Sequence, residues 1–324
     1  MAEIGVYINP TASTGARAIL DQALTADRQG FHSVWLGDHL IDYRGEPFVE
    51  EGPPESFTLM TAIGAVTSRI RLAWGMLNPS FRNPAVLAKM LATLDQITEG
   101  RVICALGAGW LKPEYESYDV PFIDDHDERI AHEREVVEVL KRLWTHPAPE
   151  RVTFEGKYVR VHDLAFNPVP HQRPHPPIWI GGDSDATVQL ATDLGDGWVP
   201  LMRGQPDIVR ELRAQPSWPE RPMAVVRLTR LLVAETFDAV LPEAEEAYEI
   251  VRNTATLQPP PTFEEFLAGE VIGAPEDCLE RLAEMEEAGI THHLVTFEDA
   301  DQQERAARLV LPHLSRAAVQ ASAG

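Results

Sequence analysis

The chain has 324 residues, enough for one large domain or two ordinary ones, and 44% of them are hydrophobic. Its formal net charge of −22 argues against nucleic acids and anionic membrane surfaces, because both are bound by clustered lysine and arginine. The sequence has neither an apolar run of about 18 residues nor a basic N-terminal leader, so we expect a cytoplasmic protein without membrane contact.

Apolar runs alternate along the chain with longer amphipathic segments. The apolar runs predict strands at Ile4–Ile8, Ser33–Leu36, Ile70–Met76, Val102–Leu106, Ile178–Ile180, Trp198–Leu201, Ala224–Ala234 and His292–Phe297. The amphipathic segments predict helices at Arg17–Gln29, Phe57–Thr67, Pro84–Ile97, Ile130–Trp144, Thr187–Leu194, Pro275–Ala288 and Arg305–Leu314. Eight strands, nearly all of them followed by a helix, favour a closed TIM (β/α)8 barrel in one domain, 1–324. A doubly wound open sheet is the alternative, although no GxGxxG follows the first strand.

Four stretches are longer than ordinary loops, and we expect them to be insertions near 40–56, 111–129, 145–177 and 235–274. The third contains a predicted hairpin that turns near Gly156. The fourth is acidic, partly helical and rich in proline, and we interpret it as a mobile lid.

The cysteine and histidine spacing gives no sign of a metal site or a disulfide. Cys104 and Cys278 lie far apart, and Cys104 stands inside an apolar run. His171 and His175 are four residues apart, but they lack helical geometry and a third ligand. We therefore predict no metal.

The most informative residues are Asp38 and His39, which follow the strand that ends at Leu36. In parallel α/β proteins, ligands bind at the carboxyl ends of the strands. A histidine there titrates near neutral pH and can exchange a proton with a substrate. We predict that His39 is catalytic and that Asp38 fixes its orientation or tautomer. The alternative is a histidine that only caps the following loop.

A second candidate site is the strand end Gly107-Ala108-Gly109. Glycines there let a ligand approach the backbone closely, and Trp110 would provide a flat apolar wall. Tight turns also use such glycines, so this signal is weak.

A third candidate site is Gly181-Gly182, between an apolar strand and a helix. Backbone N–H groups and the helix dipole would bind an anion at this position. We expect Asp183 to point outward or to cap the helix. An ordinary strand–helix turn is the alternative.

The motifs together resemble those of the luciferase-like flavin and deazaflavin oxidoreductases over nearly the whole chain. Each motif is weak alone, but the ordered set is specific for the superfamily. The Asp-His pair and Arg82-Asn83-Pro84 are more similar to the branch that uses coenzyme F420 than to the FMN monooxygenases. The motifs are Gly37–His39, Thr67–Leu72, Arg82–Lys89, Thr93–Asp95, Gly100-Arg101, Gly107–Trp110, Pro121-Phe122, Phe154–Tyr158, His175–Gly182 and Gly195–Trp198.

This resemblance implies an F420-dependent oxidoreductase. A hydride would pass between the deazaflavin and a small organic substrate (an alcohol, imine or activated alkene), while His39 exchanges a proton. The resemblance also implies a phosphate site at Gly181-Gly182, an acidic tail at Arg203 and a non-prolyl cis peptide at Gly75-Met76. The expected cofactor contacts are Gly75, Met76, Gly107, Ala108, Gly109, Gly181, Gly182, Asp183 and Arg203.

Two positions depart from the F420-dependent glucose-6-phosphate dehydrogenases. That group has a catalytic glutamate where this chain has Trp110 and a tryptophan where it has Tyr43, which disfavours a sugar phosphate. We expect both residues to line the substrate pocket.

Other readings stay open. The segment Gly109–Glu116 is similar to FMN monooxygenases, so an FMN-dependent monooxygenase with a separate flavin reductase is the alternative function. A barrel that binds a ligand without catalysis is a third hypothesis. A homodimer is a further hypothesis, with the predicted helix Phe57–Thr67 as a candidate surface.

Overall fold

The computed structural model describes residues 2–8, 15–42, 52–253 and 262–314. The strands are β1 (Glu3–Ile8), β2 (Ser33–Leu36), β3 (Arg71–Trp74), β4 (Cys104–Gly107), β5 (Val152–Glu155), β6 (Arg160–Leu164), β7 (Ile178–Gly181), β8 (Gly197–Val199), β9 (Ala224–Leu228), β10 (Leu231–Val233), β11 (Val271–Gly273) and β12 (His292–Val295). The helices are α1 (Ala16–Gln29), α2 (Ser56–Val66), α3 (Pro84–Ile97), α4 (Lys112–Ser117), α5 (His126–Thr145), α6 (Asp185–Leu194), α7 (Pro206–Arg213), α8 (Phe237–Asn253), α9 (Phe263–Gly269), α10 (Pro275–Ala288) and α11 (Ala300–Leu309).

Eight strands form one parallel sheet in the order β3, β2, β1, β12, β9, β8, β7, β4. Bridges from Leu72 to Val102 and from Leu77 to Leu106 join the β3 end of the sheet to the β4 end, so the ring closes. The predicted (β/α)8 barrel is therefore confirmed, and the open-sheet alternative is wrong.

Alternate strand residues enter two different cores. Trp35 and Trp179 point into the barrel, where their ring centroids are 5.7 Å apart. Val34 and Leu36, the neighbours of Trp35 in β2, pack among the helices outside. Because side chains alternate along a strand, both faces of these short strands are buried, and their sequences are continuously apolar.

Polar helix starts shift some boundaries from their predicted positions. Helix α5 begins at His126 instead of Ile130, because the Asp125 carboxylate accepts a hydrogen bond from the first turn. Helix α11 likewise begins at Ala300, after its cap Asp299. First turns made of charged residues carry no hydrophobic periodicity. No described helix combines the length and the hydrophobicity that crossing a bilayer requires.

The predicted long strand Ala224–Ala234 is wrong. The structure divides it into β9, which belongs to the barrel, and β10, which pairs with β11 in a separate two-stranded sheet. An apolar run alone does not distinguish one strand from two, because the change of partner occurs through residues distant in sequence.

The hairpin predicted near Gly156 is confirmed as the antiparallel pair β5–β6. The carboxylate of Glu135, on α5, accepts hydrogen bonds from the backbone N–H groups of Lys157, Tyr158 and Val159. This carboxylate therefore fastens the hairpin to the outside of the barrel.

The acidic segment 235–274 has a small core of its own. Helices α8 and α9 pack on β10 and β11 around a cluster that includes Val240, Tyr248 and Phe266. Residues 254–261 lie outside the described residues. The mobile lid stays a prediction.

Several of the family-like motifs form hydrogen bonds at the lower end of the barrel, where the strands begin. The Asp27 carboxylate accepts hydrogen bonds from the N–H groups of Ser68, Arg69 and Ile70. Burial would raise the pKa of Asp27, but these bonds outweigh it and lower the pKa below its usual value. The Arg101 guanidinium donates to carbonyls at the end of α2 and at the β3 entrance. These residues serve the fold.

Among the residues that the structure describes, Glu133 is a polar group of the outer core without compensation. It lies on the barrel-facing side of α5 and is fully buried, and neither carboxylate oxygen has a hydrogen-bond partner. Burial raises the pKa of Glu133 to about 8. Between about pH 4.5 and pH 8, Glu133 keeps its proton in the folded protein but releases it in the unfolded chain. The free energy of unfolding therefore falls as the pH rises through this range.

We expect Glu133→Gln to remove this pH dependence. The free energy of unfolding should rise by several kcal/mol at pH 8, because one pKa unit corresponds to about 1.4 kcal/mol, and should change little at pH 5. Denaturant unfolding at both pH values measures this. Glu287→Gln, at an exposed position of α10, is the control. An equal effect of Glu133→Gln at both pH values would contradict the assignment.

Candidate active site

A cavity of about 270 Å³ opens at the carboxyl ends of β2, β3, β4, β7 and β8. Eleven of the thirteen predicted site residues line it, although they are spread over 146 positions of the chain, from 38 to 183. They are Asp38, His39, Gly75, Met76, Gly107, Ala108, Gly109, Trp110, Gly181, Gly182 and Asp183. Arg203 does not line the cavity, and Tyr43 lies outside the described residues.

His39 is paired with a glutamate that the sequence reasoning did not assign. Its Nδ1 lies 3.2 Å from Oε2 of Glu114, which also accepts a hydrogen bond of 3.0 Å from the N–H of Leu40. A carboxylate oxygen accepts, so the Nδ1–H of His39 donates, and in the neutral form of the ring the lone pair lies on Nε2. The Glu114 side chain is buried.

The predicted role of Asp38 needs correction. Its Oδ1 accepts from Ser56 and Arg82, and its Oδ2 accepts from Arg82 and from the N–H of Asn78, at 2.5–2.9 Å. The Asp38 carboxylate therefore binds the loop that follows β3 and the first residue of α2. The group that orients the imidazole of His39 is Glu114. The adjacency of Asp38 and His39 suggested a pair, but consecutive side chains at a strand end point in different directions.

The Asp38–Arg82 pair is buried and bidentate. Burial alone would lower the pKa of Arg82, but Asp38 and Glu55 together raise it above its usual value. The Arg82 guanidinium also lies 5.7 Å from the ring centroid of Phe57. It therefore holds α2 against the two strand ends that flank the cavity.

The cavity floor is formed by Met76 and two glycines. The Gly75-Met76 peptide is cis, as the resemblance implied. A Cβ at Gly107 would lie 2.8 Å from Cβ of Met76, and one at Gly181 would lie 2.5 Å from its Cγ. Both glycines are therefore required by the close approach of the Met76 side chain.

The strand end after β7 leads into a helix start with the features of an anion site. Gly182 has φ +134°, and the Ser184 hydroxyl caps α6 by accepting from the N–H of Thr187. The first N–H groups of a helix have no acceptor within the helix, and its dipole favours an anion. Arg129, on α5, also lines the cavity, and its Nε is buried without a partner.

The expectation for Asp183 is corrected, whereas the role of Arg203 at the acidic tail stays a prediction. Asp183 does not cap α6; its carboxylate accepts from the N–H groups of Leu201, Met202 and Arg203 at 2.9–3.1 Å. The Arg203 guanidinium donates to the Asp183 carbonyl and the Asp185 carboxylate. Asp183 therefore fixes the loop after β8 at the cavity edge.

The sequence reasoning missed seven lining residues. The sequence could have indicated them only by their position, since each follows a barrel strand or lies near the start of the next helix. They are Asn78, Glu114, His126, Arg129, Ile130, Thr187 and Leu201. No group of three or more potential metal ligands occurs among the residues described.

The sequence profile of the luciferase-like monooxygenases matches residues 2–292, so the chain belongs to that family. The F420-dependent glucose-6-phosphate dehydrogenase of Kineococcus radiotolerans is 35% identical over 56% of this chain and 51% of that protein. The FMNH2-dependent dimethylsulfone monooxygenase of Pseudomonas putida is 29% identical over 73% of this chain and 71% of that protein. The chain spans about half the length of the F420-dependent relative.

Solved structures support the same fold. An F420-dependent secondary alcohol dehydrogenase, solved with an F420–acetone adduct, superposes with a TM-score of 0.74 at 20% identity. The match covers 95% of this chain and 98% of that one. At this identity, the likeness concerns the fold alone.

We expect Asp38→Asn to cost about 3 kcal/mol of unfolding free energy, because it removes the bidentate countercharge of the largely buried Arg82. Denaturant unfolding measures this cost. Asp185→Asn, which alters an exposed carboxylate, is the control, and it should change stability by less than about 1 kcal/mol. A cost for Asp38→Asn no larger than that of the control would show that the pair does not anchor the loops.

Proposed function

We propose that the protein is an F420-dependent oxidoreductase that transfers a hydride between the deazaflavin and a small organic substrate. The observation that carries the proposal is the His39–Glu114 pair, which faces the same cavity as the glycine-lined floor and the helix start of α6. The F420-dependent relatives support the choice of cofactor.

The residues present fit such a cofactor. Gly75 and Gly107 line the cavity without side chains of their own, so a flat ring can approach the backbone there. The positive charge of Arg129, which lines the cavity, and the start of α6 suit a phosphate. We propose Arg203, at the edge of this site, for the acidic tail.

Each residue then has a defined task. The bound deazaflavin would supply a carbon that accepts or donates a hydride. When an alcohol is oxidised, His39 accepts the hydroxyl proton at Nε2 as the hydride leaves the adjacent carbon, and the imidazolium later releases that proton to water. Glu114 holds the ring and stabilises its charged form through Nδ1–H.

The first test is a fluorescence titration of the purified protein with F420 and with FMN. We expect binding of F420 at micromolar concentration or tighter and weaker binding of FMN. Tight FMN binding without an F420 response would falsify the cofactor assignment.

The second test concerns the histidine–glutamate pair. With a substrate in hand, His39→Ala should lower kcat by about a hundredfold or more. Glu114→Gln should lower kcat with little change in KM, because it acts through His39. Glu116→Gln, an exposed residue of the same helix α4, is the matched control. Unchanged kinetics in His39→Ala would favour a barrel that binds without catalysis.

An FMN-dependent monooxygenase is the second candidate, and the longer match to the dimethylsulfone monooxygenase favours it. Such an enzyme would need reduced FMN from a separate reductase and would consume oxygen, whereas F420-dependent hydride transfer would proceed without oxygen. Oxygen uptake during turnover separates the two.

We also propose a homodimer through α2 and α3. Of the exposed residues on these helices, only Lys89 is charged, whereas 24% of the whole chain is charged. The exposed residues are Thr58, Ala65, Val66, Val86, Lys89, Thr93, Gln96 and Ile97. A surface this poor in charge is typical of an interface.

The double variant Val66→Glu and Val86→Glu should convert the dimer to a monomer, because it would bury four unpaired carboxylates in the interface. Light scattering after size exclusion measures this. Leu228→Glu is the control. Leu228 is exposed on β9, which lies across the ring from β3 and so away from the proposed interface. A monomeric wild type would refute the dimer.

A further inference from the structure

The glutamate that contacts His39 stands on a helix that is too short to hold its own position. Helix α4 has six residues, which is fewer than two turns, and no side chain caps its first turn. A helix of this length gains too little from its own hydrogen bonds to form without support. The contact between Glu114 and His39 therefore depends on the groups that fasten α4 to the barrel.

The next residue of α4, Tyr115, is such a group. Its side chain is buried, and its hydroxyl oxygen accepts a hydrogen bond of 2.7 Å from the side-chain amide of Asn78. Asn78 follows β3, and its backbone N–H donates to the Asp38 carboxylate at 2.9 Å. The hydroxyl of Tyr115 therefore connects α4 to the loop that carries His39.

The same hydroxyl is in close contact with the end of β4. A Cβ built at Gly109 would collide with the Tyr115 hydroxyl oxygen and would lie 2.9 Å from Nδ2 of Asn78. Gly109 has φ +77°, and because it has no side chain its backbone can approach the phenol. The bond between Asn78 and Tyr115 therefore lies directly beside a residue that lines the cavity.

The phenol of Tyr115 is suited to positioning and not to proton transfer. Burial raises the pKa of Tyr115, so the hydroxyl stays protonated near neutral pH. Tyr115 is also absent from the described residues that line the cavity, whereas Asn78 and Glu114 belong to them. Any effect of the phenol on the reaction must therefore pass through its neighbours.

The ring of Tyr115 supports a different part of the cavity wall. Its centroid lies 4.9 Å from the centroid of Phe122 in an edge-to-face contact. The guanidinium of Arg129 lies 4.9 Å from the same Phe122 centroid, and a cation is attracted to the face of an aromatic ring. The ring of Tyr115 therefore supports Phe122, which in turn supports the arginine that lines the cavity.

We propose that Tyr115 positions both ends of the site through different atoms. Its hydroxyl, bonded to Asn78, keeps Glu114 in contact with His39. Its ring keeps the guanidinium of Arg129 at the anion end. The tasks of His39 and Arg129 rest on the proposed function, whereas the contacts themselves are present without a cofactor. Loss of the hydroxyl leaves the buried amide of Asn78 without its acceptor and allows α4 to shift.

The first measurement uses the protein without cofactor and isotope-labelled histidine. The Nδ1 proton of His39 should give a downfield NMR signal, because its bond to the buried Glu114 carboxylate slows exchange with water. Glu114→Gln and His39→Gln should displace or remove this signal and so identify it. We expect the signal to broaden or disappear in Tyr115→Phe and to persist in Tyr158→Phe. Tyr158 is the matched control, because its buried hydroxyl has no hydrogen-bond partner among the described residues.

The second measurement separates kcat from cofactor binding. With a substrate in hand, Tyr115→Phe should lower kcat about tenfold, because Glu114 no longer holds the imidazole. It should leave the F420 dissociation constant unchanged, because the ring remains. Phe122→Leu removes the aromatic face beneath Arg129, so it should raise that dissociation constant about fivefold and leave kcat unchanged. Tyr158→Phe should change neither value.

A double-mutant cycle tests the hydrogen bond itself. If the two side chains act through one bond, Tyr115→Phe combined with Asn78→Ala should lower kcat no further than the more damaging single variant. Additive losses would show two independent effects and would contradict the proposal. Denaturant unfolding of each variant recognises a folding defect, and the NMR signal is compared only between folded proteins.

The outcomes keep this proposal apart from the proposed function. An unchanged His39 signal or an unchanged kcat in Tyr115→Phe would overturn the role of the hydroxyl, and an unchanged dissociation constant in Phe122→Leu would overturn the role of the ring. Absence of the signal from the wild type would contradict the bond to Glu114 on which the proposal depends. If F420 does not bind but Tyr115→Phe abolishes the signal, the proposed function fails and the positioning of Glu114 stands.

Discussion

The geometry of the cavity depends on the buried contact between Asp38 and Arg82. This ion pair joins the loop after β2 to the loop after β3 and to the start of α2. Asn78, which donates its backbone N–H to Asp38, also donates its side-chain amide to the buried hydroxyl of Tyr115. Tyr115 is the neighbour of Glu114 on α4. One network therefore fixes the helix that carries the glutamate and the loop that carries His39.

On the other side of the cavity, a carboxylate likewise holds two neighbouring loops together. Asp183 belongs to the glycine-rich turn after β7, yet its carboxylate binds the loop after β8. The turn proposed for the anion site is therefore bonded directly to the loop after β8. Asp38 and Asp183, which the sequence places in the site, hold loops in position here, because a carboxylate removed from water is stable only when several donors surround it.

The motifs of the family divide into two groups according to the end of the barrel at which they lie. Arg69, Asp95 and Arg101 lie at the lower end and bind backbone groups there. His39 and Gly181 lie at the upper end and face the cavity. A sequence motif marks both kinds of residue in the same way, so only the position on the barrel separates support of the fold from a site.

The sequence determined the barrel and the cavity-facing strand ends, because hydrophobic periodicity and glycine placement are local properties that repeat with each strand–helix unit. It did not determine the partner of His39, since Glu114 lies 75 positions away on a short helix without a hydrophobic signal. It also did not separate β9 from β10, because both halves of that run are apolar and only distant strands distinguish them. Contacts between residues far apart in the chain are decided by how the loops pack over the closed ring, and that packing exists only in the tertiary structure.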